Sequence, residues 1–312
     1  MSETPNQAWL ASVFQATKNW GRWGAEDERG ALNFITPRIR AHAATLVRDG
    51  VSVSCARDLA VDPSPENPRP SQHHMLVAGD AADLWGAPGV GATMDFVGVA
   101  CHGMATSHID AFCHIAVDGR LFNGFPVTDV KSTGAQRGSI LCAADGIVGR
   151  GVLLDIPRLR GVDWLEPGEA ILPEELERAE TAQGVRVGEG DILLVATGRD
   201  ARRAKLGPWD PNGVGLAGLD PRCIPWLDER SIAVLGCDGV SDPLPASKIP
   251  SWPLPLHQCC LVGMGVHLLD NLALADLASA CTQRNRWEFF FSVAPLRIRG
   301  GTGSPVNPIA VF

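Results

Sequence analysis

Apolar residues in this sequence come in short runs punctuated by turn formers, and that rhythm admits a sheet of short strands interleaved with helices. Strands are predicted at Phe96 to Cys101, Gly151 to Asp155, Asp191 to Ala196, Ile232 to Cys237 and Glu288 to Val293. Between them, helical stretches are expected near 173 to 182, 221 to 229 and 272 to 281, the last apolar and alanine-rich. The expectation is an α/β chain with an irregular, mixed sheet. With 34 Gly and 23 Pro in 312 residues, long loops suit this chain better than a helical bundle.

Upstream, Gly24 to Gly30 reads as a turn, and Thr36-Pro37 as an N-cap followed by proline at the first helical position. The helix it starts is expected to run to about Arg48, with Ile39, Ala43, Leu46 and Val47 on one side and Gly50 as its stop; a strand follows from Val51 to Ala56. Prolines 63, 65, 68 and 70 make the stretch from 61 to 71 an extended loop and not a linker, because strand signals resume at Met94. One domain over 1–312, with 1–19 as an N-terminal extension, is therefore expected.

Net charge is -8 and the basic residues are scattered, so no cationic stripe is available to neutralise a phosphate backbone; nucleic acid is not an expected partner. The polar stretch Met1 to Gln7 lacks a basic segment leading into an apolar one. The longest apolar runs, Cys259 to Val266 and Phe289 to Phe291, are too short for a bilayer. A cytoplasmic location without membrane contact is the corresponding expectation. The nine cysteines form no CxxC pair and most sit in apolar surroundings, the pattern of buried free thiols.

The chemistry concentrates in His108-Ile109-Asp110-Ala111-Phe112-Cys113-His114. In an extended segment His108 and Asp110 face the same way, so an imidazole and a carboxylate converge on one point, which His114 could also reach after a bend. Nitrogen and oxygen donors of this kind suit Zn²⁺ or Mn²⁺. The plainer alternative is two solvated histidines and a surface aspartate. Small apolar neighbours argue against it, since they would bury the polar three, and buried polar groups need partners. Trp20, Trp23, Trp85 and Phe112 are candidates to wall a pocket for a flat or cyclic substrate, against the usual role of such residues as core.

Other motifs carry less. Gly213-Val214-Gly215-Leu216-Ala217-Gly218 spells a dinucleotide-type GxGxxG, but turn formers precede it where a strand is required. No GxSxG elbow occurs, and Ser107 and His108, adjacent on a strand, face opposite ways. Cys113 is read as packing.

His102-Gly103 followed by Ser107 to His114 resembles the signature of the metal-dependent "cyclase" hydrolases, a family that includes bacterial kynurenine formamidase, isatin hydrolase and a trans-dienelactone hydrolase. The likeness extends to Trp23 to Asp27 with Gly30 to Asn33, to Gly190 to Leu194 with Thr197-Gly198, and to Gly303 to Pro308. It implies a swivelling β/β/α fold around a twisted mixed β-sheet and a homodimer or homotetramer. It also implies hydrolysis of an amide, lactone or ester bond in a small cyclic or aromatic substrate. Where formamidase-like members carry the leading histidine of HxGTHxDxxxH this chain has Met104, a poor ligand for either ion. The resemblance therefore implies one divalent ion, Mn²⁺ or Zn²⁺, held by His108, Asp110 and a residue from His257 to Asn271, for which Asp270 is the positional match. Asp270 could alternatively cap the helix after it. His102 is the candidate to substitute in part for the missing histidine. His114 then becomes the candidate general base and His257 its alternate or the proton donor to the leaving group, while His267 is structural. A dehydratase or ring-closing enzyme on the same metal, and a catalytically silent binding protein, are the alternatives.

Overall fold

In the computed structural model, which describes residues 4–80, 86 and 89–312, the described residues place nine strands in one mixed sheet. In chain order these are β1 (Ser52–Ser54), β2 (His108–Asp110), β3 (Ile147–Asp155), β4 (Ile192–Ala196), β5 (Val234–Cys237), β6 (His267–Asp270), β7 (Glu288–Val293), β8 (Gly303–Pro305) and β9 (Ile309–Val311). Their spatial order is β1-β9-β7-β3-β4-β5-β6-β2-β8, and the sheet curls into a half-barrel. The four central strands, β3 to β6, pair in parallel, and the pairings outside them are antiparallel.

The parallel strands read as near-continuous apolar runs because both their faces are covered. Along β3 and β4, Val152, Leu154, Leu193 and Val195 face one apolar core, while Leu153, Ile192 and Leu194 face the other. Crossover helices supply the cover, as parallel pairing requires. The expected helix near 173 spans Pro173–Gln183, with the Glu175 carboxylate accepting from the Leu172 amide and Gly184 closing it at φ 63. The one near 221 spans Cys223–Glu229. Between β5 and β6 the chain turns through Pro255–His257 into a π-helix, Gln258–Met264, which absorbs the apolar run around Cys259. All nine cysteines are free, seven of them buried, as their apolar settings suggest. Among the described residues no helix is long and apolar enough to cross a membrane.

Several expected boundaries move, each for a local reason. The helix from Pro37 ends at Ala44, because the chain bends to bury Leu46. The third expected helix occupies Ala275–Arg284: Asn271 sits at φ 55 and the Leu272 amide donates to the Cys237 carbonyl, so no helix starts there. The strand expected at Phe96 to Cys101 is Met94–Gly98, paired with Gln72–Val77 in a hairpin outside the main sheet. Within 1–19, Gln7–Ala16 is a helix capped by Asn6, and it buries Leu10, Val13 and Phe14 in the core.

Candidate metal centre

Strand β2 lies between β6 and β8, with Asp270 directly opposite His108 and Gly303 opposite Asp110. Alternation does the rest. Ile109 enters the core, and His108 and Asp110 emerge together on the other face, where the register also delivers the Asp270 carboxylate. Because Asp270 ends β6 and the next helix begins at Ala275 with no side-chain cap, Asp270 is not a helix cap.

Each imidazole is oriented by a bond on its far side. His108 donates from Nδ1 to the Thr106 carbonyl at 2.8 Å, leaving Nε2 as the inward donor atom, 3.4 Å from Asp110 Oδ1. His257 donates from Nδ1 to Asp242 at 2.7 Å and directs Nε2 to within 3.3 Å of Asp270 and 3.6 Å of Asp110. His102 binds Thr302 through Nε2 at 2.9 Å and sets Nδ1 2.9 Å from Asp110 Oδ1. Five side chains thus form two overlapping three-donor sets, His102, His108, Asp110 and Asp110, His257, Asp270, which share Asp110.

Asp110 is fully buried, yet neither of its carboxylate oxygens has a hydrogen-bond partner, and His102 Nδ1, though close, is also unpartnered. A buried carboxylate left so would cost several kcal/mol. Lone pairs that approach one another without a proton aligned between them are what a cation requires, and the donor set fits a divalent ion held by nitrogen and oxygen. The electrostatics agree. Burial alone would raise Asp110, but the adjoining His102 and His108 hold it well below the ordinary carboxylate range. Burial depresses His102 and His257, and the carboxylates beside them more than reverse this: Asp110 brings His102 up to about 10, and Asp242 and Asp270 carry His257 well above its usual value.

His114 is not among the five. Its ring stacks flat on His102, centroids 3.7 Å apart and planes at 1°, and it faces the same cavity. Burial, reinforced by the neighbouring imidazoles and only partly opposed by Asp110, lowers it to about 4, so it is neutral at physiological pH. His267 is wholly buried, donates from Nδ1 to the Asp110 carbonyl at 2.7 Å and stacks on Phe112. It braces the Asp110 backbone and is lowered by burial to about 4.

The cavity over this cluster has a volume of about 280 Å³. Its remaining wall is aliphatic: Met104, Val240, Leu244, Ala246, Pro253 and Leu254, with Asn212 at the side. Among the described residues, none of the aromatic side chains expected to wall it belongs to this lining. Phe112 is buried between Phe122 and His267, and Trp23 packs edge-on against Phe34 outside the cavity. Trp85 lies outside the described residues.

Three supporting residues carry no local signal in the sequence. Asp242 accepts from the amides of Leu256 and His257 as well as from the His257 ring, fixing both the backbone and the tautomer of that histidine. Arg199, itself buried, donates to Asn271, to the Asp238 and Met104 carbonyls and to Glu66, joining the loop that carries His102 to the residue after Asp270. Asn271 completes the tie by donating to the carbonyls of Gly103 and Thr106. Replacing Asp242 by Asn is expected to weaken binding of a divalent ion by about 10–100-fold, the usual range for an outer partner of a ligand histidine. Calorimetric titration of the metal-free variant with Mn²⁺ and Zn²⁺ measures it, and unchanged affinity would remove Asp242 from this role.

Fold and site together define a mixed α/β protein with a buried imidazole and carboxylate centre suited to a divalent cation. The chain matches the cyclase family model over residues 32–242 and belongs to that family. A crystal structure described as a novel cyclase superposes with TM-score 0.85 at 31% identity, covering 95% of this chain and 99% of that one. Isatin hydrolase A from Ralstonia solanacearum shares the fold at 22% identity and TM-score 0.59, with 88% of this chain and 97% of that one covered. A predicted metal-dependent hydrolase from Bacillus stearothermophilus shares it at 15% and 0.51, with 84% and 98% covered. No curated protein matches the chain in sequence.

Proposed function

We propose that this chain is a metal-dependent hydrolase that uses water to cleave an amide, lactone or ester bond in a small cyclic or aromatic substrate. The observation that carries the reading is Asp110: a wholly buried carboxylate with two unpartnered oxygens, ringed by the inward nitrogens of His102, His108 and His257. These four and Asp270 would hold Mn²⁺ or Zn²⁺. A divalent ion bound there supplies Lewis acidity and lowers the pKa of a water ligand from about 15.7 to near 7.

The chain's own residues do the remainder. Thr106 and Asp242 keep protons on the far nitrogens of His108 and His257, so that their Nε2 atoms stay free. The aliphatic wall excludes bulk water from the acyl group and strengthens the local electrostatics. His114, neutral and facing the cavity beside the donors, is the group placed to take a proton from the attacking water and later return one to the leaving group. The sharing of Asp110 by two donor sets also favours a second reading of the centre, in which these five residues would hold two ions and not one.

Elemental analysis decides the count, one equivalent or two per chain. Chelation should abolish turnover of a panel of lactones, cyclic imides, isatin and N-formyl anilines, and Mn²⁺ or Zn²⁺ should restore it. Label from isotopic water must appear in the product; release of water instead would mark a dehydratase. A protein without bound metal and without response to either ion would refute the enzyme reading.

A pH dependence follows with a definite sign. In the metal-free protein His102 and His257 have raised pKa values and so hold protons at neutral pH. Metal binding must displace them, so affinity should rise with pH, about tenfold per unit for each proton released between about pH 6 and 8. His114, at about 4, titrates below this window. Competition against a chelator of known pH dependence tests it, and a flat profile would contradict it.

A further inference from the structure

We propose that the substrate of this site is uncharged and apolar around its reacting bond, so that a carboxylated analogue is rejected. The proposal rests on the hydrolase reading above and sharpens it. Three observations support it, two from the lining of the cavity and one from its charge.

Apart from the imidazoles and carboxylates of the cluster and Asn212, everything that lines the cavity among the described residues is aliphatic or glycine; no lysine or arginine is present. The apolar part is a built surface. Leu216, Val240 and Leu244 form a small buried cluster of their own, separate from the two cores on the sheet, and Met104, Trp209 and Leu254 pack on it. Met104 stands where a further imidazole would make the site more polar, and here it adds to the wall.

The balance of charge points the same way. Asp110, Asp270 and Asp242 place three buried carboxylates at or immediately behind the floor. A single divalent ion, as in the first reading of the centre, offsets two of them, which leaves no surplus positive charge for an anionic substrate. Among the described residues the buried cation nearby, Arg199, sits behind the wall, with its charge committed to Glu66 and its other Nη donors to the Asp238 and Met104 carbonyls and Asn271. A substrate carboxylate in this cavity would lose its water and meet aliphatic carbon, and sites that leave such a group unpaired discriminate by about 10²-fold or more.

Two measurements on the metal-loaded protein test this. The first compares kcat/KM for N-formylaniline with N-formylanthranilate, and for phenyl acetate with 2-carboxyphenyl acetate. The uncharged member of each pair should lead by about 10²-fold or more. The second measures binding of benzohydroxamic acid and its 2-carboxy derivative by calorimetry, and the same order should hold there whether or not any ester or amide is turned over. Equal or better handling of the carboxylated partners in either measurement overturns the inference. Failure to hydrolyse any member of these pairs or of the wider panel of lactones, cyclic imides and isatin, with the binding preference intact, would instead refute the hydrolase reading and leave the charge selection standing. In Leu254→Arg, a cation placed on the wall should raise affinity for the carboxylated hydroxamate and lower it for the neutral one. No change in that ratio would also overturn the inference.

Discussion

Asp110→Asn should leave a folded protein that binds no stoichiometric divalent metal and hydrolyses nothing at a measurable rate. The substitution preserves shape and removes one charge, which separates the electrostatic role of this residue from its packing. In the unsubstituted protein the carboxylate holds His102 at a raised pKa and contributes a donor to both three-residue sets. With a neutral amide oxygen in its place each set keeps only two strong donors, and the imidazoles lose the negative charge that balances a cation. Losing a Lewis acid removes several kcal/mol of transition-state stabilisation. At about 1.4 kcal/mol per factor of ten, the loss in kcat/KM should be about 10³-fold or more.

Stability should fall as well. The neighbouring imidazoles hold this carboxylate well below its ordinary range, and removing one partner of a buried charge cluster leaves the others uncompensated. The metal-free variant is therefore expected to melt below the midpoint of the metal-free unsubstituted protein, while the stabilisation that added Mn²⁺ or Zn²⁺ gives the latter disappears. Elemental analysis and thermal melts with and without metal measure both. A variant that retains a full equivalent of metal would displace Asp110 from the centre.

What could be read in the sequence follows the range over which each interaction acts. His108 and Asp110 were legible because two-residue alternation is a local rule, and the strand that aims them needs only its own short apolar frame. Asp270 was reachable as a position but not as a geometry, since only the pairing of β6 with β2 sets it opposite His108. Asp242 and Arg199 were silent. Asp242 acts on a histidine fifteen residues downstream, and Arg199 reaches Glu66 and Asn271 across 133 and 72 residues. Phe112 illustrates the opposite case. Phe112 has the parity of Asp110, but β2 ends at Asp110, and the chain then turns the ring inward against Phe122 and His267. Period-two reasoning fails as soon as the strand stops. The start of the helix expected near 272 moves to Ala275 for a related reason, because the positive φ of Asn271 serves the loop that holds His102 and not the helix behind it.

His114→Ala divides the roles within the cluster. His114 lies outside both donor sets but lines the cavity and stacks on His102, so its removal should spare the metal and slow the chemistry. Loss of positioned proton transfer is worth about 10²–10⁴-fold, and the drop should fall on kcat with little change in KM, because the imidazole acts on the water and not on substrate binding. Its lowered pKa, about 4, makes the ring a weak base in the resting protein but keeps it unprotonated, and so available, across the neutral range. The acid limb of kcat/KM that belongs to this group should therefore lie well below the ordinary histidine region. Small amines added to the variant can occupy the vacated space over His102 and should recover part of the rate with a dependence on amine pKa. That response would not arise if the ring served only as packing. If the variant instead arrives without metal, His114 is a ligand, and the proton must be taken from water by another group in the cluster, for which His257 is the remaining imidazole facing Asp270.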